Sequence, residues 1–323
     1  MNPFRPNSPL VWSLALLSLG SLAVNAENPR APLLATASAA RFESRKNVPY
    51  ADTEDILQQL DIYQPKQRAS KKLPVIVFFH GGGWRAGNKA MGSGILSRLV
   101  LTEQFIGISA GYRLTPKVKW PDPLYDCKAA VRWIKAHASE LGADPDRIAV
   151  WGSSAGAHLA SLLGTTGEQK DLEGLVGKHL DQNSKIRCVV NFFGPQNFLT
   201  ILGEEESAPN NNADSAVGML LGGRVRDLPE LAKAASPLFY VSAGTVPFLS
   251  AHGTKDPLVP FEQAQELHKA LRKAGVESTL IEMTDAGHGF RSPELDARID
   301  QFLGRHLLGK TVEIAATPIP KGQ

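Results

Sequence analysis

The chain has 323 residues, of which 43% are hydrophobic and 21% are charged, a composition typical of a globular protein with a buried core. Its 35 basic and 32 acidic residues leave a formal charge of +3 without a dense basic cluster, which argues against a nucleic-acid-binding protein. Two widely separated cysteines, Cys127 and Cys188, fit no metal-ligand spacing and argue against a cysteine-bound metal site.

Residues 1–26 have the pattern of a secretory signal peptide. Arg5 precedes an apolar segment at 10–24, and small or apolar residues occupy 24–26. The apolar segment is shorter than the roughly 20 residues that a membrane-spanning helix needs, and no cysteine follows it for lipidation. We therefore expect cleavage near Glu27, a periplasmic or secreted mature protein, and no stable membrane insertion.

Export also affects what is expected of the two cysteines. Cys127 and Cys188 fit either two buried thiols or one disulfide, and the residues alone leave both possibilities open. An oxidising compartment favours the disulfide.

Beyond a leader at 27–47 without periodicity, apolar runs of strand length alternate with segments of helix length. The predicted strands are 48–51, 60–63, 73–79, 105–110, 148–151, 186–193, 247–251 and 278–283. The predicted helices are 121–137, 157–163, 228–235, 261–273 and 293–308. This alternation predicts one α/β domain at 48–308, with a mostly parallel central sheet and helices on both faces.

Several local features complete this prediction. Pro49 restricts the first strand to a sheet edge, because proline has no amide hydrogen to donate. Asp122 is expected to cap the helix that Pro123 begins, and 142–146 is expected to form a turn. The weakly patterned segment 199–246 is predicted to be a small cap insertion, and 309–323 a mobile C-terminal tail.

The segment from Ile148 to Leu163 has the order strand, sharp turn, helix. Its turn, Gly152-Ser153-Ser154-Ala155-Gly156, fits the G-x-S-x-G pattern of a nucleophile elbow. The alternative is an ordinary Gly-Ser turn. Glycines at both ends of the turn leave room for strained dihedrals and close packing, which favours the elbow with Ser154 at its tip.

A second glycine-rich segment, His80-Gly81-Gly82-Gly83-Trp84, directly follows the predicted strand 73–79. Consecutive glycines allow the backbone N–H groups to converge on one point, as in an anion-stabilising loop, although they also permit a plain flexible loop. Its position at a strand end upstream of the serine favours the anion-stabilising loop.

Three candidate catalytic groups follow predicted strands in the chain order nucleophile, acid, base: Ser154, Asp256 and His288. The carboxyl ends of parallel strands share one edge of a sheet, so these residues can meet there. His288 would remove the serine proton, and Asp256 would orient the imidazole. The backbone N–H groups of Ala155, Gly82 and Gly83 would form the oxyanion hole.

Other residues compete for these roles. His158 lies one helical turn after the serine and is expected to pack beneath the elbow rather than to act as the base. His252 is interpreted as a structural histidine that shapes the acid loop, and His80 as a residue that orients the glycine loop. Asp285 is too close in sequence to His288 to be the preferred acid.

Six motifs together resemble the hormone-sensitive-lipase-like branch of the α/β-hydrolases, and most closely the secreted bacterial acetyl-xylan and feruloyl esterases of the BD-FAE type. These motifs are His80-Gly81-Gly82-Gly83-Trp84, Gly111-Tyr112-Arg113-Leu114, Gly152-Ser153-Ser154-Ala155-Gly156, Phe193-Gly194-Pro195, His252-Gly253-Thr254-Lys255-Asp256 and Gly287-His288-Gly289-Phe290. The resemblance covers about residues 48–308. The chain departs from the group at Gln196-Asn197, where Thr-Asp is usual.

The resemblance implies an α/β-hydrolase fold and a serine esterase without cofactor or metal. It implies Ser154, Asp256 and His288 as the triad, and Trp84 as a residue lining the substrate site. The leading hypothesis is an exported carboxylesterase that removes acetyl or feruloyl groups from plant polysaccharide. The alternatives are a general short-chain carboxylesterase, an arylformamidase, and a non-catalytic binding protein on a hydrolase fold; the oligomeric state stays open.

Overall fold

The structure is a computed structural model that describes residues 42–67, 71–201 and 212–322. The predicted signal peptide lies outside the described residues, as do 27–41 of the leader and 202–211 of the predicted cap insertion. Among the described residues, none of the helices combines the length and the apolar character needed to span a lipid bilayer.

A single sheet of nine strands forms the centre of the domain, in the order β1-β2-β4-β3-β5-β6-β7-β8-β9. The strands are β1 Phe42–Pro49, β2 Gln59–Pro65, β3 Leu73–Phe79, β4 Ile106–Ala110, β5 Ala143–Ser153, β6 Cys188–Phe192, β7 Phe248–Gly253, β8 Ser278–Thr284 and β9 Ile319–Pro320. Strands β1 and β2 run antiparallel to their neighbours, and all later neighbours pair in parallel. The predicted mostly parallel α/β sheet is confirmed, and β1, which contains Pro49, lies at its edge.

Eight α-helices cover the sheet within the described part of the chain. They are α1 Ser93–Val100, α2 Asp122–Ala136, α3 Ala138–Leu141, α4 Ala155–Thr165, α5 Ala216–Leu221, α6 Pro229–Ala234, α7 Glu262–Lys273 and α8 Pro293–Leu308.

The buried side chains form two clusters, and β3 contributes Val75 and Val77 to one and Ile76 and Phe78 to the other. Because alternate residues of a strand face opposite sides, the two clusters mark the two faces of the sheet.

The helices are divided between these faces. Helices α2, α4 and α7 pack on the side of Val77, whereas α1 and α8 pack on the side of Phe78. Strands β3 and β5, at the middle of the sheet, have apolar cores that are fully buried between the helix layers. The elbow that follows β5 therefore projects from the buried centre of the sheet.

Four local predictions were wrong. The first strand spans Phe42–Pro49 instead of 48–51, so it begins inside the predicted leader. Residues 142–146 are not a separate turn, because β5 already begins at Ala143, which pairs with Leu73 before a register irregularity. Asp122 is the first residue of α2 rather than its cap, and Pro121 precedes the helix without a side-chain capping bond. The C-terminal tail is not free, because Ile319 is fully buried and pairs with Met283 of β8.

The favoured disulfide is also wrong. Cys127 and Cys188 are both free and buried. Cys127 belongs to the cluster on one face of the sheet and Cys188 to the cluster on the opposite face. The sheet between them prevents the close approach that a disulfide requires.

Candidate active site

Ser154 lies between the end of β5 and the start of α4, with φ 53° and ψ −121°. A positive φ is uncommon for a residue with a side chain and persists only where surrounding contacts enforce it. One such contact joins the Ser154 amide to the carbonyl oxygen of Phe192 at 2.8 Å. The sharp turn places the serine hydroxyl at the carboxyl edge of the sheet, as the elbow pattern predicted.

The two elbow glycines are required by close backbone approaches. A Cβ atom on Gly152 would lie 2.2 Å from the Gly156 carbonyl oxygen. A Cβ atom on Gly156 would lie 2.1 Å from the carbonyl oxygen of Phe79 at the end of β3. Because both obstacles are backbone atoms, larger residues at either position would displace the elbow.

The three residues predicted as a triad meet at this edge. His288 Nε2 is 2.9 Å from Ser154 Oγ, and His288 Nδ1 is 2.8 Å from Asp256 Oδ2. A carboxylate can only accept, so Nδ1 holds the proton and Nε2 is free to accept the serine proton. The Asp256 side chain is fully buried, whereas that of His288 is 17% exposed and opens onto the cavity. This geometry would allow the imidazole to take the serine proton while the carboxylate holds the ring in one orientation.

Asp256 is held in its ionised form. Its Oδ1 accepts hydrogen bonds from the amides of Leu258 and Val259 at 2.9 and 3.0 Å. Burial alone raises the pKa of this carboxyl group, but the bonds from His252, His288 and the two amides outweigh burial and hold the pKa well below its usual range. A permanent negative charge therefore lies behind the imidazole of His288.

The glycine loop reaches the same cavity. Gly82 has φ +117° and Gly83 has φ +60°, conformations that residues with side chains rarely adopt. Among the described residues, neither glycine amide has a hydrogen-bond acceptor. Ala155, the first residue of α4, also lacks an intrahelical acceptor for its N–H. These three amides are available to an oxygen anion beside Ser154.

His80 supports the glycine loop from below. Its ring stacks on Tyr112 with the ring centroids 4.3 Å apart, and the Tyr112 hydroxyl donates to the His80 carbonyl oxygen at 2.7 Å. Burial lowers the pKa of His80 to about 4, so the ring stays neutral near neutral pH. This placement agrees with a loop-orienting histidine and not with a proton-transferring one.

The cavity above Ser154 has a volume of about 830 Å³. The serine, His288 and the glycine loop are among the residues that line it. Its walls are mainly apolar, with some polar and charged residues. The wall residues are Arg85, Ala86, Met91, Phe193, Ile201, Asn212, Asp214, Ser215, Ala216, Leu258 and Val259.

Two residues that the sequence offered as site candidates lie away from this cavity. The Trp84 side chain does not line it: the residue is only 2% exposed and packs edge-on against His158 and Phe198. Trp84 has a positive φ of 57°. His158 is fully buried, its Nε2 lies 2.7 Å from the Ala235 carbonyl oxygen, and burial lowers its pKa to about 4. It packs beneath the elbow, as expected.

Asp285 is placed outside the hydrogen-bond chain of the site. Its carboxylate pairs with Lys255 at 2.6 Å, and both side chains are largely exposed. Asp256, and not Asp285, is therefore the carboxylate in contact with His288.

Sequence reasoning missed Phe193 as a site residue. Its ring lies edge-on to His288, with the ring centroids 4.6 Å apart, and it forms part of the cavity wall. Phe193 has a positive φ of 43°. The only sequence signal for a site residue here was its position at the end of a predicted strand, directly before Gly194-Pro195. At the neighbouring departure from the family pattern, the two side-chain amides have structural partners: Gln196 Nε2 donates to the Gly194 carbonyl oxygen and Asn197 Nδ2 donates to Glu266 Oε2, both at 2.9 Å.

Across 42–67, 71–201 and 212–322, no group of three His, Cys, Asp or Glu side chains is arranged to hold a metal ion.

The BD-FAE family model matches residues 60–271, about two thirds of the chain. The chain belongs to the BD-FAE family. This confirms the resemblance drawn from the six motifs. Esterase LipC from Mycobacterium tuberculosis is 32% identical over 254 residues, which are 77% of this chain and 60% of LipC. The chain covers between 57% and 60% of the length of LipC and of two further relatives from the same organism, LipQ and LipM.

Two solved structures share the fold over most of their length. A truncated carbohydrate esterase from gut microbiota has a TM-score of 0.76 and 30% identity, over 82% of this chain and 96% of that one. Thermogutta terrifontis esterase 2 phosphorylated by paraoxon has a TM-score of 0.64 and 29% identity, over 81% of this chain and 94% of that one. The predicted α/β-hydrolase fold is confirmed.

Proposed function

We propose that this BD-FAE protein is an exported serine carboxylesterase. Ser154 is the nucleophile, His288 the general base and Asp256 the residue that orients the base. The observation that supports this most strongly is the unbroken chain of hydrogen bonds from Ser154 Oγ through both ring nitrogens of His288 to Asp256. The names of the relatives, which are esterases, agree with it.

Acylation follows from this geometry. His288 Nε2 accepts the hydroxyl proton while Ser154 Oγ forms a bond to the ester carbonyl carbon. The carbonyl oxygen becomes negative and receives hydrogen bonds from the amides of Gly82, Gly83 and Ala155. When the carbon–oxygen bond to the alcohol breaks, protonated His288 gives its proton to the leaving alkoxide, and an acyl-enzyme remains.

Deacylation repeats these steps with water as the nucleophile. His288 removes a proton from the water, whose oxygen bonds to the acyl carbon, and then returns the proton to Ser154 Oγ as the acid leaves. Asp256 stays ionised throughout and stabilises the imidazolium that forms in each half-reaction. The cycle needs no redox partner and releases one acid and one alcohol for each water consumed.

Acetyl or feruloyl groups on plant polysaccharide are the proposed substrates. The structural neighbour from gut microbiota is a carbohydrate esterase, and a predicted signal peptide would place this chain where polymeric substrates are found. The cavity of about 830 Å³ is much larger than an acetyl group requires, which leaves space for an alcohol part of sugar size.

A general short-chain carboxylesterase is the second candidate. It is favoured by the curated relatives, which are named esterases without a carbohydrate substrate. A non-catalytic protein is disfavoured because all three members of the triad are present and in hydrogen-bond contact. No feature of the described site favours formamides over esters.

Hydrolysis of a p-nitrophenyl acyl series from acetate to laurate tests the proposal, with acetylated xylan and methyl ferulate as parallel substrates and Ser154→Ala as the control. The carbohydrate esterase is supported if the wild type hydrolyses short-chain esters and releases acetate or ferulate from the parallel substrates, and if Ser154→Ala loses this turnover. Short-chain turnover without release from either supports the general esterase. Turnover that survives Ser154→Ala contradicts both.

A further inference from the structure

His252 lies directly behind the proposed acid. It is the penultimate residue of β7, four positions before Asp256, and it is fully buried. Its Nε2 is 2.8 Å from the Val259 carbonyl oxygen and 3.3 Å from Asp256 Oδ2. Because a carbonyl oxygen and an ionised carboxylate can only accept, Nε2 must hold the proton and share it between these two oxygens.

Asp256 Oδ2 therefore lies between two histidines. His288 Nδ1 donates to it from the cavity side at 2.8 Å, and His252 Nε2 donates from the core side. The other oxygen, Oδ1, is occupied by the amides of Leu258 and Val259. Four donors from four residues thus fix both the position and the plane of one carboxylate.

Packing alone does not explain a histidine at this position. Its Nδ1 is buried without a hydrogen-bond partner among the described residues, which costs free energy that an apolar side chain would not cost. The ring also packs edge-on to Phe261, a contact that another apolar ring or chain could make. The feature that an apolar residue cannot supply is the Nε2–H directed at Val259 and Asp256.

We propose that His252 is a positioning residue for the triad. It holds the Asp256 loop closed through Val259 and keeps Asp256 Oδ2 aimed at His288 Nδ1. It does not line the cavity, so it touches neither the substrate nor the reacting atoms. This inference rests on the proposed function, because it takes Asp256 to be the catalytic acid.

The test compares His252→Gln with His252→Leu in the full-length protein. The glutamine amide nitrogen can occupy the place of Nε2 and donate a hydrogen bond, whereas leucine fills similar space without a donor. With p-nitrophenyl acetate, His252→Leu is expected to lose kcat by on the order of 10- to 100-fold with KM little changed, since small misplacements of catalytic groups have effects of this size. His252→Gln is expected to recover most of that loss.

A second readout reports on the triad itself. The proton shared by His288 Nδ1 and Asp256 Oδ2 is expected to give a downfield proton NMR resonance that persists in His252→Gln and broadens or disappears in His252→Leu. A role limited to folding would lower the thermal stability of both variants and leave this resonance and kcat per folded molecule unchanged. Circular dichroism and the unfolding temperature identify the folded fraction.

The outcomes separate the two levels of the proposal. Wild-type protein without Ser154-dependent turnover would overturn the proposed function and this inference with it. An active wild type and a His252→Leu variant with wild-type kcat would overturn the inference alone. If His252→Leu does not fold, His252→Gln alone tests the inference. A folded glutamine variant with a 10-fold or greater loss of kcat would contradict the proposed role of His252 as a hydrogen-bond donor to Asp256.

Discussion

Replacing Gly156 by alanine tests whether the elbow depends on close backbone packing. The added Cβ would lie 2.1 Å from the Phe79 carbonyl oxygen and 2.4 Å from that of His80. Ordinary carbon–oxygen contacts are about 3.3 Å or longer, so the backbone must move by about 1 Å. Neither obstacle is a flexible side chain, and we therefore expect a cost near the upper end of the usual ~1–3 kcal/mol for overpacking.

A loss of 1 kcal/mol in unfolding free energy lowers the Tm of a domain of this size class by about 2–4 °C. A loss of about 3 kcal/mol in Gly156→Ala should therefore lower the Tm by about 6–12 °C. A shift of the elbow by about 1 Å should also lower kcat by about 10²-fold. Gly94→Ala in α1 is the matched control, because its exposed Cβ would meet nothing within 4 Å. It should raise stability by up to about 1 kcal/mol without loss of turnover.

Differential scanning calorimetry and p-nitrophenyl acetate kinetics on both variants provide the measurements. If Gly156→Ala matched the wild type in both Tm and kcat, the packing account of the elbow would be refuted. A loss of the same size in Gly94→Ala would show that any added methyl group is harmful, whatever contacts it makes.

Three further changes probe other parts of the site. Asp256→Asn should lower kcat by about 10⁴-fold, because the asparagine side chain cannot hold His288 in the tautomer with its proton on Nδ1. The residual turnover of Ser154→Ala serves as the background for this measurement. Gly82→Ala should lower kcat by about 10²–10³-fold at nearly constant KM, because a Cβ 2.2 Å from the Ala86 carbonyl oxygen displaces an oxyanion donor. The pKa of His158 is about 4 in the folded protein, below its ordinary value of 6.5. Between these two pH values the unfolded chain binds more protons than the folded protein, so the free energy of unfolding falls as the pH decreases. Urea unfolding near pH 7 and pH 4.5 should therefore show a smaller acid-induced loss in His158→Gln than in the wild type; an equal loss would contradict this assignment.

The central fold was predictable because its signals are local and strong. Strands such as 73–79 are continuous apolar runs, and the closing helix at 293–308 has a proline near its start and a glycine after its end. Helix α1 was not predicted, since a segment of eight residues that contains Gly94 has weak helix propensity and is stabilised by burying Leu96 and Leu99. Tertiary packing, which sequence patterns do not show, decides such elements.

The site was predictable to the extent that chemistry depends on residue type and chain order. Ser154, Asp256 and His288 follow strands that lie close together in one parallel sheet, so their convergence follows from the topology. The burial of Trp84 depends on its tertiary contacts with His158 and Phe198, and the separation of the two cysteines depends on which face each one occupies. Neither property can be read from spacing in the sequence.

Labelling with paraoxon, followed by peptide mass spectrometry, tests the central claim most directly. An activated serine attacks the phosphorus and displaces p-nitrophenol, which leaves a stable phosphoryl group on its oxygen. We predict one label per chain, located on Ser154, with loss of ester turnover in proportion to labelling and almost no label in His288→Ala. Full ester turnover in a protein labelled at another residue, or not labelled at all, would contradict the assignment of Ser154 as the nucleophile.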